Sequence, residues 1–225
     1  MGGAMNYLEN AITCMKGNVF PISRAQKGAV IYHQNDLARF RFEVAAGVIR
    51  TTYLFADGRR QVTGFCFEGE VFGTDQGIYK TSAEVVSETA RVRRFCWGDS
   101  AEDERALNKS LQLLENSILL IGRRTALSRV AAFLADIRLR TKGSQWIPLP
   151  MPRADIADYL GLTVETVSRM FSELRRKRLI AQLEDHLVQI IDQERLEALA
   201  GVGTDEILPG HASDNFPPHR THYPR

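Results

Sequence analysis

Between Val19 and Phe95 the apolar residues come in short runs, "GAVIYHQND", "FRFEVAAGVIRTTYLF", "VTGFCFEGEVFG", "SAEVVSE" and "ARVRRFCW", separated by glycine, aspartate and asparagine. Runs so short, and so rich in β-branched and aromatic residues, predict strands, and a series of them predicts a small closed roll. Asp57 and Gly58 in "ADGRRQ" predict a hairpin turn, because glycine takes positive φ without steric cost. Gly47, Gly64, Gly69 and Gly73 fall at the other turns and bends that such a structure needs.

The period changes after Ser100. A helix is predicted from about Ser100 to Ile121, opened by the acidic turn "SAEDE", which suits the positive end of a helix dipole. Along it Leu107, Leu111, Leu114, Ile118 and Ile121 recur at four-three-four-three spacing, the seam of a coiled coil. The stripe has two readings. It lies on the roll as core, or, with Leu113, Leu119 and Leu120 available to cover the roll, it is free to meet a second copy of itself in a symmetric homodimer. A further helix is predicted from Arg124 through Leu139, with Leu127, Val130, Ala131 and Leu134 on one face, and "IPLPMPR" reads as extended because residues before proline avoid the α region.

"RADIADYLGLTVETVSRMFSEL" reads as helix, tight turn, helix. Ile156, Ala157 and Leu160 line the inner face of the first helix, Gly161 supplies the turn, and Val167, Met170, Phe171 and Leu174 pack the second, which Thr163 caps. "LIAQLEDHLVQIIDQ" predicts two short strands around "EDH", a winged hairpin. The expected fold class is therefore α+β: an N-terminal antiparallel β jelly roll over residues 1–98, a long dimerisation helix over 99–122 and a C-terminal winged helix-turn-helix over 123–200. The tail 201–225 has Gly, Pro and His with little apolar periodicity and is expected to be disordered.

Composition removes several function classes. With 225 residues, 44% hydrophobic and 25% charged, the chain has material for one large or two modest cores. Apolar runs such as "SILLIG" are too short to cross a bilayer and "MGGAMNYLENAITCMKG" lacks the layout of a secretory leader, so a cytoplasmic protein with no membrane partner is expected. Cys14, Cys66 and Cys96 are odd in number and widely spaced, which argues for three reduced thiols rather than a disulfide framework or a four-thiolate metal site. A metal-dependent enzyme on a β roll needs converging His and carboxylate ligands, yet only His33 lies in the β region, as a turn or core residue; His211, His219 and His222 sit in the tail. No enzyme activity, metal or cofactor is expected. Residues 123–200 carry 13 Lys and Arg against 10 Asp and Glu, whereas residues 1–122 balance at 14 each, so the excess base lies with the helix-turn-helix.

Once the second helix has buried its apolar stripe, Val164, Glu165, Ser168 and Arg169 are left facing outward near its start. That set suits the major groove of double-stranded DNA: an arginine can donate two hydrogen bonds to guanine, a glutamate can accept from an exocyclic amine, and valine can touch a thymine methyl. Arg153, Thr163 and Thr166 are candidates for the DNA backbone, and Arg175 to Arg178 for phosphate or solvent. The plainer alternative is a surface pair between Glu165 and Arg169, worth a few tenths of a kcal/mol. That pair explains neither the tight turn nor the wing.

Over roughly residues 18–200 the chain resembles the Crp/Fnr family of bacterial transcription regulators, most sharply in "GVIRTTYLFADGRRQVTGF", "GEVFG" and "ADYLGLTVETVSR". The E-x-x-S-R form of Glu165, Ser168 and Arg169 is similar to the Fnr and FixK branches; the cyclic-AMP receptor branch has glycine at the place of Ser168. The resemblance implies TTGA-type half-sites in an inverted repeat and an activating contact with RNA polymerase in the loop around Thr141 to Trp146, with Lys142 and Gln145 as candidates. Two departures stand out. Cys14, Cys66 and Cys96 cannot assemble the oxygen-sensing iron-sulfur cluster of Fnr, and "IYKTSAEVV" offers Lys80 and Thr81 where the cyclic-AMP branch has an arginine beside a serine. The remaining match is to FixK-like regulators of low-oxygen metabolism, with an effector-dependent regulator of the same architecture as the alternative.

Overall fold

The structure, a computed structural model, describes residues 19–98, 100–143, 146–184 and 186–201. Ten strands come first: β1 (Ser23–Gln26), β2 (Val30–Tyr32), β3 (Leu37–Ala38), β4 (Phe40–Ala46), β5 (Ile49–Leu54), β6 (Arg60–Cys66), β7 (Val71–Phe72), β8 (Gly77–Ile78), β9 (Ser82–Val85) and β10 (Thr89–Cys96). They form two four-stranded antiparallel sheets, β1-β10-β4-β7 and β2-β9-β5-β6, with β3-β8 as a small ribbon. Gly58, at φ 84°, turns β5 into β6, and the Phe55 N–H donates to the Arg59 carbonyl across the turn. Gly47, at φ 88°, leaves no alternative residue: a Cβ there would lie 2.5 Å from the Thr89 carbonyl oxygen.

Successive side chains of a strand point to opposite faces, and the second sheet uses both. Ile49, Cys66 and Val85 pack into the roll interior with Phe42, Val44 and Val92. Their neighbours Val48, Phe65, Phe67 and Val86 belong instead to a cluster shared with the C-terminal helices. The interior itself is filled by aromatic rings. Tyr32 stacks on Tyr79 with centroids 3.8 Å apart and Phe42 on Phe72 at 5.3 Å, while the Tyr79 hydroxyl donates to the Phe40 carbonyl. Burial pushes the Tyr79 phenol up to about 12.

The helices are α1 (Ser100–Ile121), α2 (Ala126–Arg140), α3 (Arg153–Leu160), α4 (Val164–Arg176) and α5 (Gln193–Ala200), with β11 (Trp146–Pro148), β12 (Ile180–Glu184) and β13 (Leu187–Ile190) between them. A capping box between Thr125 and Ser128 opens α2. The inward face of α1 carries Asp103, Ala106, Ser110, Leu113, Ser117 and Leu120; Ala106 and Leu120 are buried, Asp103 accepts from Arg41 Nε of the roll at 2.9 Å, and Ser117 meets Tyr159 of α3. Leu119, expected to help cover the roll, stays exposed beside the seam because it lies one position off this face.

Several elements exceed the sequence pattern. β1 buries only Ala25 and α5 only Leu196 and Ala200, too few positions to show a period. β11 joins the wing as a third strand in the order β11-β13-β12, with Trp146 opposite Gln189. Cys66 is a buried free thiol, pushed up to about 12 by desolvation. Cys96 corrects the expectation of three reduced thiols: it is disulfide-bonded. An isolated bridge pairs Val19 with Phe95, the residue before Cys96. His33 is exposed in a turn, its backbone N–H donating to Asp36.

Candidate nucleic-acid interface

α3 begins after Pro152 and ends at Gly161, whose φ of 63° lets its N–H cap the helix and sends the chain off at a new angle. Two residues later Thr163 takes the extended conformation of an N-cap, and its hydroxyl accepts from the Thr166 N–H at 3.2 Å. Val167, Phe171 and Leu174 of α4 are buried against α2 and α3, with Met170 partly so. Those anchors fix the rotation of α4 and leave Val164, Glu165, Ser168 and Arg169 together on its exposed side.

The surface they begin is longer than the sequence pattern suggested. A shallow depression lined by Ser168, Arg169, Ser172, Glu173 and Arg176 continues along α4. Arg169, Ser172 and Arg176 follow Glu165 at helical steps of four, three and four, so this stripe was available in the sequence. Hydrogen bonds from its own backbone N–H and from the Thr163 hydroxyl hold the Glu165 carboxyl below the usual carboxylate range, and Arg169 adds to this. Arg169 Nη2 lies 3.2 Å from the Thr166 hydroxyl, so in the free protein both polar ends fold back on the helix start.

The flanking bases are held to different degrees. The Arg153 guanidinium sits 3.5 Å above the Phe171 ring, which ties the start of α3 to α4. Glu173 lies 3.9 Å from Arg176 and 3.7 Å from Lys177, and Arg175 donates to Ser172. Arg178 closes the block at φ 56°, in the left-handed region that glycine more often takes at a helix end. On the wing, His186 faces Glu184 at 3.1 Å and Leu183 is exposed.

The seam residues Leu107, Leu111, Leu114, Ile118 and Ile121 form an exposed apolar stripe on the side of α1 away from the roll, with Ile118 62% accessible. Lys142, at φ 60°, pairs with Glu68 at 3.2 Å; Gln145 lies outside the described residues, as does the tail with His211, His219 and His222. Sequence reasoning missed Arg50, Arg60 and Asp155. Arg50 and Arg60 of the roll both pair with Asp155 of α3, partners 105 and 95 residues apart that no local pattern connects.

The Crp-like helix-turn-helix domain matches residues 128–199. The nitrogen fixation regulation protein FixK of Rhizobium meliloti is 38% identical over 182 residues, covering 79% of this chain and 86% of the relative. FixK of Bradyrhizobium diazoefficiens is 38% identical over 189 residues, covering 77% and 79%. The solved structure of FixK2 from Bradyrhizobium japonicum superposes with a TM-score of 0.73 at 30% identity, over 82% of this chain and 98% of that one. The sequence match to the FixK proteins covers more than three quarters of each chain, the fold of FixK2 extends over 82% of this one, and the chain belongs to the Crp/Fnr family, with FixK-like relatives.

Proposed function

We propose that the protein is a sequence-specific regulator of transcription, an activator that binds double-stranded DNA as a homodimer at TTGA-type inverted repeats. The observation that carries this is α4 itself, a capped helix with one face locked in the core and Val164, Glu165, Ser168 and Arg169 presented together on the other. Two such helices about one DNA turn apart read the two halves of a palindrome, and the exposed seam of α1 is the surface that would pair them. The activators and FixK proteins among its relatives support a role in the control of low-oxygen metabolism, in the cytoplasm and with RNA polymerase as partner. Lys142 and Gln145 are the candidate polymerase contacts.

Binding without a small effector fits the filled roll. Tyr32, Phe42, Phe72 and Tyr79 occupy its interior, and Lys80, the base nearest the place of a cyclic-phosphate arginine, is exposed with its backbone N–H bonded to Asp75. Protein freed of metal and nucleotide should therefore bind a TTGA palindrome with a Kd of about 10⁻⁸ M or tighter. The test is a titration of labelled palindrome with and without cyclic AMP. A hundredfold gain on adding the nucleotide, about 2.7 kcal/mol of coupling, would establish the effector-dependent alternative, and equal affinity for scrambled DNA would overturn the DNA-reading proposal.

A further inference from the structure

We propose that Asp155 is a positioning residue: with Arg50 and Arg60 it clamps the helix-turn-helix to the roll and so sets the spacing between the two DNA half-sites that the protein accepts. The proposal rests on the DNA-reading function above and adds what fixes the reading heads in space. Asp155 lies in the first turn of α3 and its side chain is 2% accessible, a carboxylate buried between two parts of the molecule. One of its oxygens accepts from Arg50 Nη1 of β5, and the other accepts from Arg60 Nη2 of β6 at 2.8 Å. Arg50 is itself spread between Asp155 and Glu84 of β9, where its Nη2 donates at 2.6 Å, and its Nε is left buried without a partner. An arginine held in that way is placed for the two carboxylates rather than for its own full satisfaction.

Arg60 also grips Asp158, one turn further along α3, at 2.9 Å, and Gln61 donates to the Asp158 carbonyl. A third attachment comes from α1. Ser117 Oγ donates to the Leu113 carbonyl and so accepts from the Tyr159 hydroxyl at 2.8 Å, one position along the helix from Ile118 of the exposed seam. α3 is thus tied to both the roll and the seam helix, and α4 packs on α3. An orientation fixed at α3 is passed to the recognition surface.

The energetic consequence follows from two linked heads on one DNA. Holding them at one separation raises the effective concentration of the second half-site only where the operator spacing matches. Removing the clamp should leave each head intact and loosen the match. The variants are Asp155→Asn, which keeps shape and removes charge, and Arg60→Gln, which lies in the roll at 38% side-chain accessibility and outside the helix-turn-helix.

Binding is measured to a single half-site, to the palindrome, and to palindromes with one base pair inserted or deleted between the halves. The proposal expects half-site affinity within about twofold of the unmodified protein, palindrome affinity about tenfold weaker, and the penalty for altered spacing reduced about tenfold. Equal loss on half-site and palindrome would mean that Asp155 only supports the local fold, and unchanged spacing preference in both variants would mean that it sets nothing; either overturns the proposal. Small-angle scattering of the DNA-free protein tests the clamp independently of DNA binding. The radius of gyration should rise slightly in both variants as the helix-turn-helix, loosened at α3, samples a wider range of tilts about the core it shares with the roll. If the unmodified protein shows no preference for the palindrome, the DNA-reading function falls, and an unchanged radius then overturns the clamp by itself.

Discussion

Arg169 and Arg153 carry the same charge but are built for different tasks. Arg169 is exposed, its guanidinium held by the Thr166 hydroxyl and drawn to Glu165 on the same surface, so it can turn to a base edge without breaking the core. Arg169→Ala should remove about 1–3 kcal/mol of discrimination at one base pair in each half-site, read as binding to single-base operator variants. Arg153 is stacked on Phe171, fixed in place as a phosphate contact would be. Arg153→Ala should weaken all operators alike and lower the salt slope by about one. The depressed Glu165 carboxyl gives a further test. A carboxylate held below the usual range is fully ionised above a pH of about 5, so its acceptor role should add no pH dependence to operator binding between about pH 5.5 and 8. A step in that window that disappears in Glu165→Gln would show the carboxyl titrating there.

At the scale of the element, α1 uses two stripes of one helix for two purposes. The stripe from Asp103 through Leu120 packs inward on the roll and the C-terminal helices, while Leu111, Leu114 and Ile118 remain more than half exposed. Burying three or four such side chains against a second copy offsets the cost of association at about 1.5–3 kcal/mol for each side chain fully covered. Ile118→Glu should therefore give monomers by sedimentation that keep their circular dichroism and lose palindrome binding; an intact dimer would remove the seam from the interface. α4 depends on its start in a comparable way. Thr163→Ala removes the hydroxyl that satisfies the Thr166 N–H and should lower stability by about 1 kcal/mol in denaturant titration.

On the scale of the whole molecule, the roll and the helices share one core. Phe65 of the roll packs edge-on to Phe133 of α2 and Tyr159 of α3, and Arg140 joins the two parts through Glu70, Asp136 and the Phe65 carbonyl. Burial alone would lower the Arg140 guanidinium, but Glu70 and Asp136 raise it well above its ordinary value, while burial raises Asp136 against the pull of Arg140. Arg140→Met strands those carboxylates and should cost about 3–5 kcal/mol at pH 7. The sign with pH follows from Asp136. A carboxyl whose folded pKa is raised binds its proton more tightly in the folded state, so its cost is absent below the unfolded value of about 4 and grows as pH rises through the raised one. The variant's deficit should be smaller at pH 4 than at pH 7 in thermal melts; a larger deficit at pH 4 would contradict the assignment.

The sequence by itself determined that there is a β region, a seam helix and a helix-turn-helix, because each rests on local rules: short β-branched and aromatic runs between turn residues in β4 to β6, the four-three spacing from Leu107 to Ile121, and Gly161 followed by Thr163. It also picked out Val164, Glu165, Ser168 and Arg169, since a helix of known inner face leaves its outer face by subtraction. Tertiary structure decided what those rules do not reach. β1 and α5 exist because neighbours cover them, with Ala25 and Leu196 too sparse to make a pattern. Whether Leu119 faced the roll or solvent turned on one helical step of about 100°, settled only by packing. That Asp155 is a buried ion-pair partner rather than an ordinary first-turn acid depended on Arg50 and Arg60, which the β5–β6 hairpin brings to it from the other part of the chain. Pairs so distant in sequence leave no local trace, because the chain between them folds by its own rules and the contact forms only when both parts are in place.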